Sequence, residues 1–229
     1  MKAISLSILF SLVVYCSHSQ NTKQLRVAFR PCLKNEQTLI LDSTYPLNNR
    51  CTIRIENLRY YISGIELFNN HQLVWREKNS YHLIDIAKYT TQQLALSPPK
   101  NIQFNAIRFN LGIDSSTNVS GALAGDLDPT KGMYWTWQSG YINLKIDGKY
   151  STDSTAIQAF EYHLGGYMLP FKTIQTVELP VTIQENITIL FDVQKFFESI
   201  DLQKTNHIVS PNEEAVTLST LVAKCFRLP

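Results

Sequence analysis

Apolar and polar residues alternate along most of this chain. Gln24–Phe29, "QLRVAF", alternates at period two, as a strand with one buried face does. "TIRIENLRYYISGIELF", Thr52–Phe68, reads as one long strand or as two joined near Ser63–Gly64. "YHLIDI", "IQFNAIRFNLGI", "YWTWQSGYINLKI", "STAIQAFEYHLG", "TIQTVELPVTI" and "NITILFDV" continue the pattern. Asn69–Asn70, Ser97–Pro98–Pro99, Asp128–Pro129 and Gly165–Gly166 punctuate it as turns. Asp147–Gly148 predicts a tight hairpin. Helical spacing is concentrated at the end, where Ala215, Leu218, Leu221 and Val222 recur on one face. Ser210 is the predicted N-cap of that helix, Pro211 its first residue and Glu213 the partner in a capping box. "VQKFFESI" after Asp192 predicts a shorter helix. No strand alternates with a long helix, as a parallel βαβ sheet requires. The pattern predicts an all-β fold, an antiparallel β-sandwich with a small C-terminal helical element.

One stretch breaks the alternation. In "GMYWTWQSGYINLKIDG", Met133, Trp135, Trp137, Ser139 and Tyr141 share one parity, and Ile142, Leu144 and Ile146 the other. A single unbroken strand would turn one apolar set to solvent. A β-bulge at Ser139–Gly140 is expected to restore the match, with Trp137 and Ile142 then facing one core.

The N-terminus changes the picture of where the protein works. Lys2, an apolar run from Ile4 to Val14, and Ser17 and Ser19 form a secretory signal peptide, predicted as residues 1–19. The folded domain is then 20–229 and the protein periplasmic or secreted. Cys16 raises a rival reading as a lipoprotein anchor, disfavoured by the bulky Tyr15 before it. No other apolar stretch is long enough to span a bilayer. The net charge of +2 gives no reason to expect a nucleic acid or an anionic membrane as partner. Of four cysteines, Cys32, Cys51 and Cys225 remain after cleavage. At most one intrachain disulfide is available to them, with all three pairings open.

The tryptophan stretch, followed by "FEYHLGG" at Phe160–Gly166, resembles the signature of the MbnP-like copper-binding proteins. "RYYISGIEL", "YHLIDI", "IRFNLGID", "GALAGDLDPTKGMYW" and "HIVSPNEEAVTLSTLVAKCF" resemble further segments of that family, in the same order. The resemblance implies a secreted or periplasmic copper-binding protein with a β-sandwich fold; with no G-x-S-x-G elbow and no HExxH motif in the sequence, no enzymatic activity is expected. The resemblance also implies oxidation of a tryptophan, here Trp135 or Trp137, to kynurenine by a di-haem cytochrome c peroxidase. Histidine imidazoles would complete the copper site.

The chemistry is consistent with that. Imidazole suits copper, an apolar pocket with few nitrogens favours Cu(I), and indole is a poor ligand until oxidation exposes an aniline nitrogen. Candidate ligands are His163, His207 and His82, with Trp135 and Trp137 as the oxidisable pair. His71 reads as a solvated turn residue and Met133 as core. Asp126 and Asp128, imaginable as calcium ligands or a glycosidase pair, read as turn formers. Without an H-x-H or H-x-x-x-H pair, a metal-free adhesion or carbohydrate-binding module stays open as the alternative.

Overall fold

Two sheets enclose the core in the computed structural model, which describes residues 24–138, 140–153, 155–182 and 184–229. The predicted leader, with Cys16, lies outside the described residues, as does Ser139. In chain order the strands are β1 (Leu25–Cys32), β2 (Thr44–Asn48), β3 (Cys51–Asn69), β4 (Gln72–Arg76), β5 (Tyr81–Asp85), β6 (Gln93–Leu96), β7 (Ala106–Leu111), β8 (Tyr134–Trp135), β9 (Gly140–Thr152), β10 (Thr155–Gly165), β11 (Gln175–Pro180), β12 (Asn186–Asp192), β13 (His207–Ile208) and β14 (Phe226–Arg227). Three helices are described: α1 (Ser115–Val119), α2 (Val193–Glu198) and α3 (Glu213–Ala223). The smaller sheet runs β14-β12-β1-β6, and the larger follows β11-β7-β3-β9-β10-β13. Most pairs are antiparallel, as expected, but β1 pairs β12 and β10 pairs β13 in parallel.

Strand β3 is the spine. One edge pairs β9 along its first half and β7 along its second. Along the other edge lie β2, β5 and β4. Its core residues are Ile53 and Ile55, then Leu58, Tyr60 and Ile62, then Ile65 and Leu67. Each change of parity coincides with a register shift, first between Ile55 and Asn57, then between Ser63 and Glu66. An extra residue reverses the side to which the chain points, so both bulges keep the apolar residues inside. Gly64, at φ 58°, supplies the left-handed residue of the second.

The larger sheet is covered on both faces at one end. Tyr60 and Ile62 enter the main core, while Tyr61 between them enters a second cluster with Leu83, Ile113, Leu127, Met133, Trp135, Tyr141 and Ile142. The chain from Asp114 to Trp135 folds over this cluster, and the Tyr61 hydroxyl donates to the Asp126 carbonyl at 3.0 Å. Each such large side chain contributes roughly 1.5–3 kcal/mol by leaving water.

This second core corrects the reading of the tryptophan stretch. The expected continuous strand does not form: the chain reverses between Trp135 and Gly140, with Trp135 paired to Gly140 and Tyr134 to Tyr141. Trp137 sits on the reversal and is 65% exposed, whereas Ile142 is buried, so the two do not face one core. A register shift between Leu164 and Gly165 places the extra residue of β9 at Asn143. Buried Asn143 accepts from Ile113 N and donates to Thr173 Oγ1, each at 2.9 Å.

Asp147–Gly148 is not a hairpin either, but the middle of β9. Gly148 is needed for close approach. A Cβ there would lie 2.2 Å from the Arg54 carbonyl oxygen and 2.5 Å from the Phe160 ring. In α3 the N-cap is Asn212, whose side chain accepts from Ala215 N at 2.7 Å, and not Ser210. Asparagine caps as well as serine, and capping there places Glu213 and Glu214 in the first turn, where the helix dipole favours them. The shorter helix forms as α2, capped by Asp192. All three cysteines are free. Cys32 is paired with Asp192, whose N–H donates to the Cys225 carbonyl from the opposite edge of β12. Two strand spacings, about 10 Å, then separate the two cysteines, beyond the reach of a disulfide.

Candidate metal centre

The site is built from one end of the large sheet. Strand β8 and the start of β9 form a short hairpin held by Ile142 N donating to the Met133 carbonyl at 2.9 Å. It carries two tryptophans in different environments. Trp135 is buried and Trp137 exposed, with ring centroids 5.7 Å apart and planes at 46°. The Trp135 indole lies against Gly165 at the end of β10. A Cβ on Gly165 would fall 2.6 Å from Trp135 Cζ3.

His163 stands two residues before Gly165 on β10, hence on the same face. The repeat of a strand puts those two positions about 7 Å apart. Leu164 and Tyr162, of opposite parity, are buried in the main core. His163 Nε2 meets Asp147 Oδ1 at 2.8 Å, and Asp147 Oδ2 accepts from Asn57 Nδ2 at 2.8 Å. Burial alone would raise the Asp147 carboxyl, but the bonds from His163 and Asn57 outweigh it and hold the group below its usual range.

His207 lies on the neighbouring β13, opposite Glu161, so it shares this face too. Its Nδ1 meets Glu161 Oε2 at 3.0 Å and the side chain is 61% exposed. The structure places His163 next to the position that Trp135 covers, with Trp137 beside Trp135; His207 shares that face but lies one strand over and two residues along, about 8 Å from His163 and about 14 Å from Gly165. It does not bring His82 there. His82 is on β5, three strand spacings from β10 along β5-β3-β9-β10, or about 14 Å. Its Nε2 meets Glu77 Oε2 at 2.8 Å. His71 is an exposed turn residue with φ 66°.

Asp126 and Asp128 serve the loop itself. Asp126 accepts from Leu83 N at 3.0 Å and from Lys131 Nζ at 2.6 Å. Asp128 accepts from Thr130 N at 2.8 Å and caps a short 3-10 turn.

Sequence reasoning missed Asp147, Glu161 and Asn57. The signal was present: Lys145 and Asp147, and Glu161 and His163, are polar residues at period two on facing strands. Gln138 was also passed over. Its Oε1 is buried without a hydrogen-bond partner, in the turn that carries Trp137.

These residues fit a metal in part. His163 and His207 each have one ring nitrogen tied to a carboxylate, leaving Nδ1 of the first and Nε2 of the second for a ligand. A carboxylate behind the imidazole is the usual arrangement for a metal-binding histidine. Yet no group of three or more His, Cys, Asp or Glu side chains that could hold a metal ion occurs among the described residues. On this face the described residues offer the imidazoles of His163 and His207.

The model of the MbnP family matches residues 22–213. The structure of MbnP from Methylosinus trichosporium superposes with a TM-score of 0.58 at 13% identity, covering 82% of this chain and 81% of that one. At that identity the likeness speaks for the fold. No curated protein matches. The family match runs through the tryptophan hairpin, His163 and His207 and takes in most of the chain, which therefore belongs to the MbnP family.

Proposed function

We propose that this is an exported copper-binding protein whose site is the face shared by the tryptophan hairpin, His163 and His207. The observation that carries the reading is the placement of His163 beside the position covered by the Trp135 ring. In this reading, oxidation of one indole to kynurenine supplies a further nitrogen beside the imidazoles. Exposure favours Trp137 as the side chain that an external oxidant reaches. The oxidant is a di-haem cytochrome c peroxidase, as the resemblance implies. Copper held this way, with Cu(I) favoured by nitrogen donors in a partly apolar pocket, is available for acquisition or buffering. The role is binding without turnover, after removal of a leader ending at Ser19.

A metal-free binding module draws on one observation. Trp137 is exposed, and Tyr167, against Gly140, brings the loop bearing exposed Met168 and Leu169 near the hairpin. Metal analysis and peptide mass spectrometry of protein purified from its own host separate the readings. Bound copper together with a kynurenine mass change on the peptide carrying Trp135 and Trp137 supports the first. Unmodified, metal-free protein supports the second. In modified protein, His163→Ala is expected to weaken Cu(I) binding at least severalfold with the fold intact.

A further inference from the structure

Three side chains on three consecutive strands form a line across the sheet. Asn57 on β3 is in register with Asp147 on β9, and His163 on β10 is paired one pleat further along. Asn57 donates to one oxygen of Asp147 and His163 meets the other, both at 2.8 Å. A carboxylate only accepts, so the ring nitrogen facing it carries the proton. Asn57 fixes the carboxylate from behind, and the His163 side chain is only 16% exposed, so the ring has little freedom to turn away. With Nε2 occupied, Nδ1 is the nitrogen left with a free lone pair.

We propose that Asp147 is a positioning residue: it holds His163 as the Nε2–H tautomer and so presents Nδ1 as the metal-binding nitrogen. The inference rests on the copper reading above and adds which nitrogen binds and what selects it. Asn57 is the outer member of the device, because its amide keeps both carboxylate oxygens engaged. His207 has no such second anchor: Glu161 is itself 48% exposed. The more rigid imidazole is therefore His163.

The test reads the tautomer directly, in metal-free exported protein labelled with nitrogen-15. Long-range nitrogen–proton correlations of the His163 ring are expected to show a pyridine-type Nδ1 and a pyrrole-type Nε2. A pyrrole-type Nδ1 in the wild type overturns the proposal without any variant. In Asp147→Asn, Asn57 keeps its amino group towards position 147. The new amide then turns its oxygen to Asn57 and its NH2 to His163. The ring is expected to accept at Nε2 and carry its proton on Nδ1. Cu(I) affinity of the modified protein, measured against a coloured chelator, is expected to fall by about 10- to 100-fold, the usual cost of losing an outer-shell partner. Asp147→Glu, which keeps an acceptor-only group, is expected to restore the wild-type tautomer. Full affinity in Asp147→Asn, with His163→Ala clearly weakened, overturns the positioning role and leaves the ligand reading standing. Unchanged affinity in His163→Ala brings down both.

Discussion

At Gly165 the sheet presents no side chain, and the indole of Trp135 occupies the space. A methyl group there would meet Trp135 Cζ3 at 2.6 Å and the Tyr141 carbonyl at 2.8 Å. The carbonyl is part of the backbone and does not yield easily, so the indole must move. Gly165→Ala is expected to cost roughly 1–3 kcal/mol, as overpacking does, and to change the near-ultraviolet circular dichroism of the tryptophan pair. Denaturant unfolding and that spectrum check it together; an unchanged spectrum would mean that the indole does not rest on Gly165. Gly148 makes a similar case with a different lesson. Asp147–Gly148 has the composition of a hairpin turn, yet both residues serve contacts between strands: Gly148 admits the Arg54 carbonyl and Asp147 takes His163. Both partners are far along the chain, so local composition carried no trace of either. His163 and the two tryptophans entered the reading through the family resemblance, since aromatic residues on strands are ordinary core material.

Among the elements, α3 offers a clean discrimination. Its cap is Asn212, bonded to Ala215 N at 2.7 Å, while the predicted cap, Ser210, precedes that cap by two residues. Asn212→Ala is expected to destabilise the protein by about 1 kcal/mol and Ser210→Ala by much less. Thermal or urea melts of the two variants decide it, and the reverse order would restore the serine cap. Here the sequence showed that a helix starts but not which of two good capping residues starts it. Strand β3 was legible to a finer degree: the parity changes after Ile55 and after Ile62 mark its two bulges. The tryptophan stretch was not, for a physical reason. Its residues lie where the sheet has a core on each face, so apolar side chains occur at both parities and alternation no longer reports direction. A chain reversal and a bulge then predict the same pattern.

For the whole molecule, one carboxylate anchors the start of the covering over the second core. Asp114 caps α1 by accepting from Thr117 N at 2.9 Å, and also accepts from Thr117 Oγ1 at 2.9 Å, Tyr81 Oη at 3.0 Å and Ser116 Oγ. Burial alone would raise its pKa, but these bonds together hold it at about 2. The same helix carries Asn118, which accepts from Tyr141 N at 2.8 Å at the start of β9. Asp114 thus ties the covering segment to the strand that follows the tryptophan hairpin. The sign of the pH effect follows from the depressed value. An unfolded aspartate titrates near pH 4, so the contribution is fully present above that pH. It declines as acid is added and is lost as the pH falls through about 2. Asp114→Asn removes the term at every pH. The variant is therefore expected to be less stable than wild type at neutral pH, with the difference shrinking steadily between about pH 4 and 2. Urea melts of both proteins across that range measure it. The tryptophan fluorescence of each should be followed in the same titrations, since loss of the Asp114 contacts frees α1 and with it the Asn118 bond beside the hairpin. A stability difference that stays constant down to pH 2 would show that Asp114 does not titrate in the folded protein as its hydrogen bonds require.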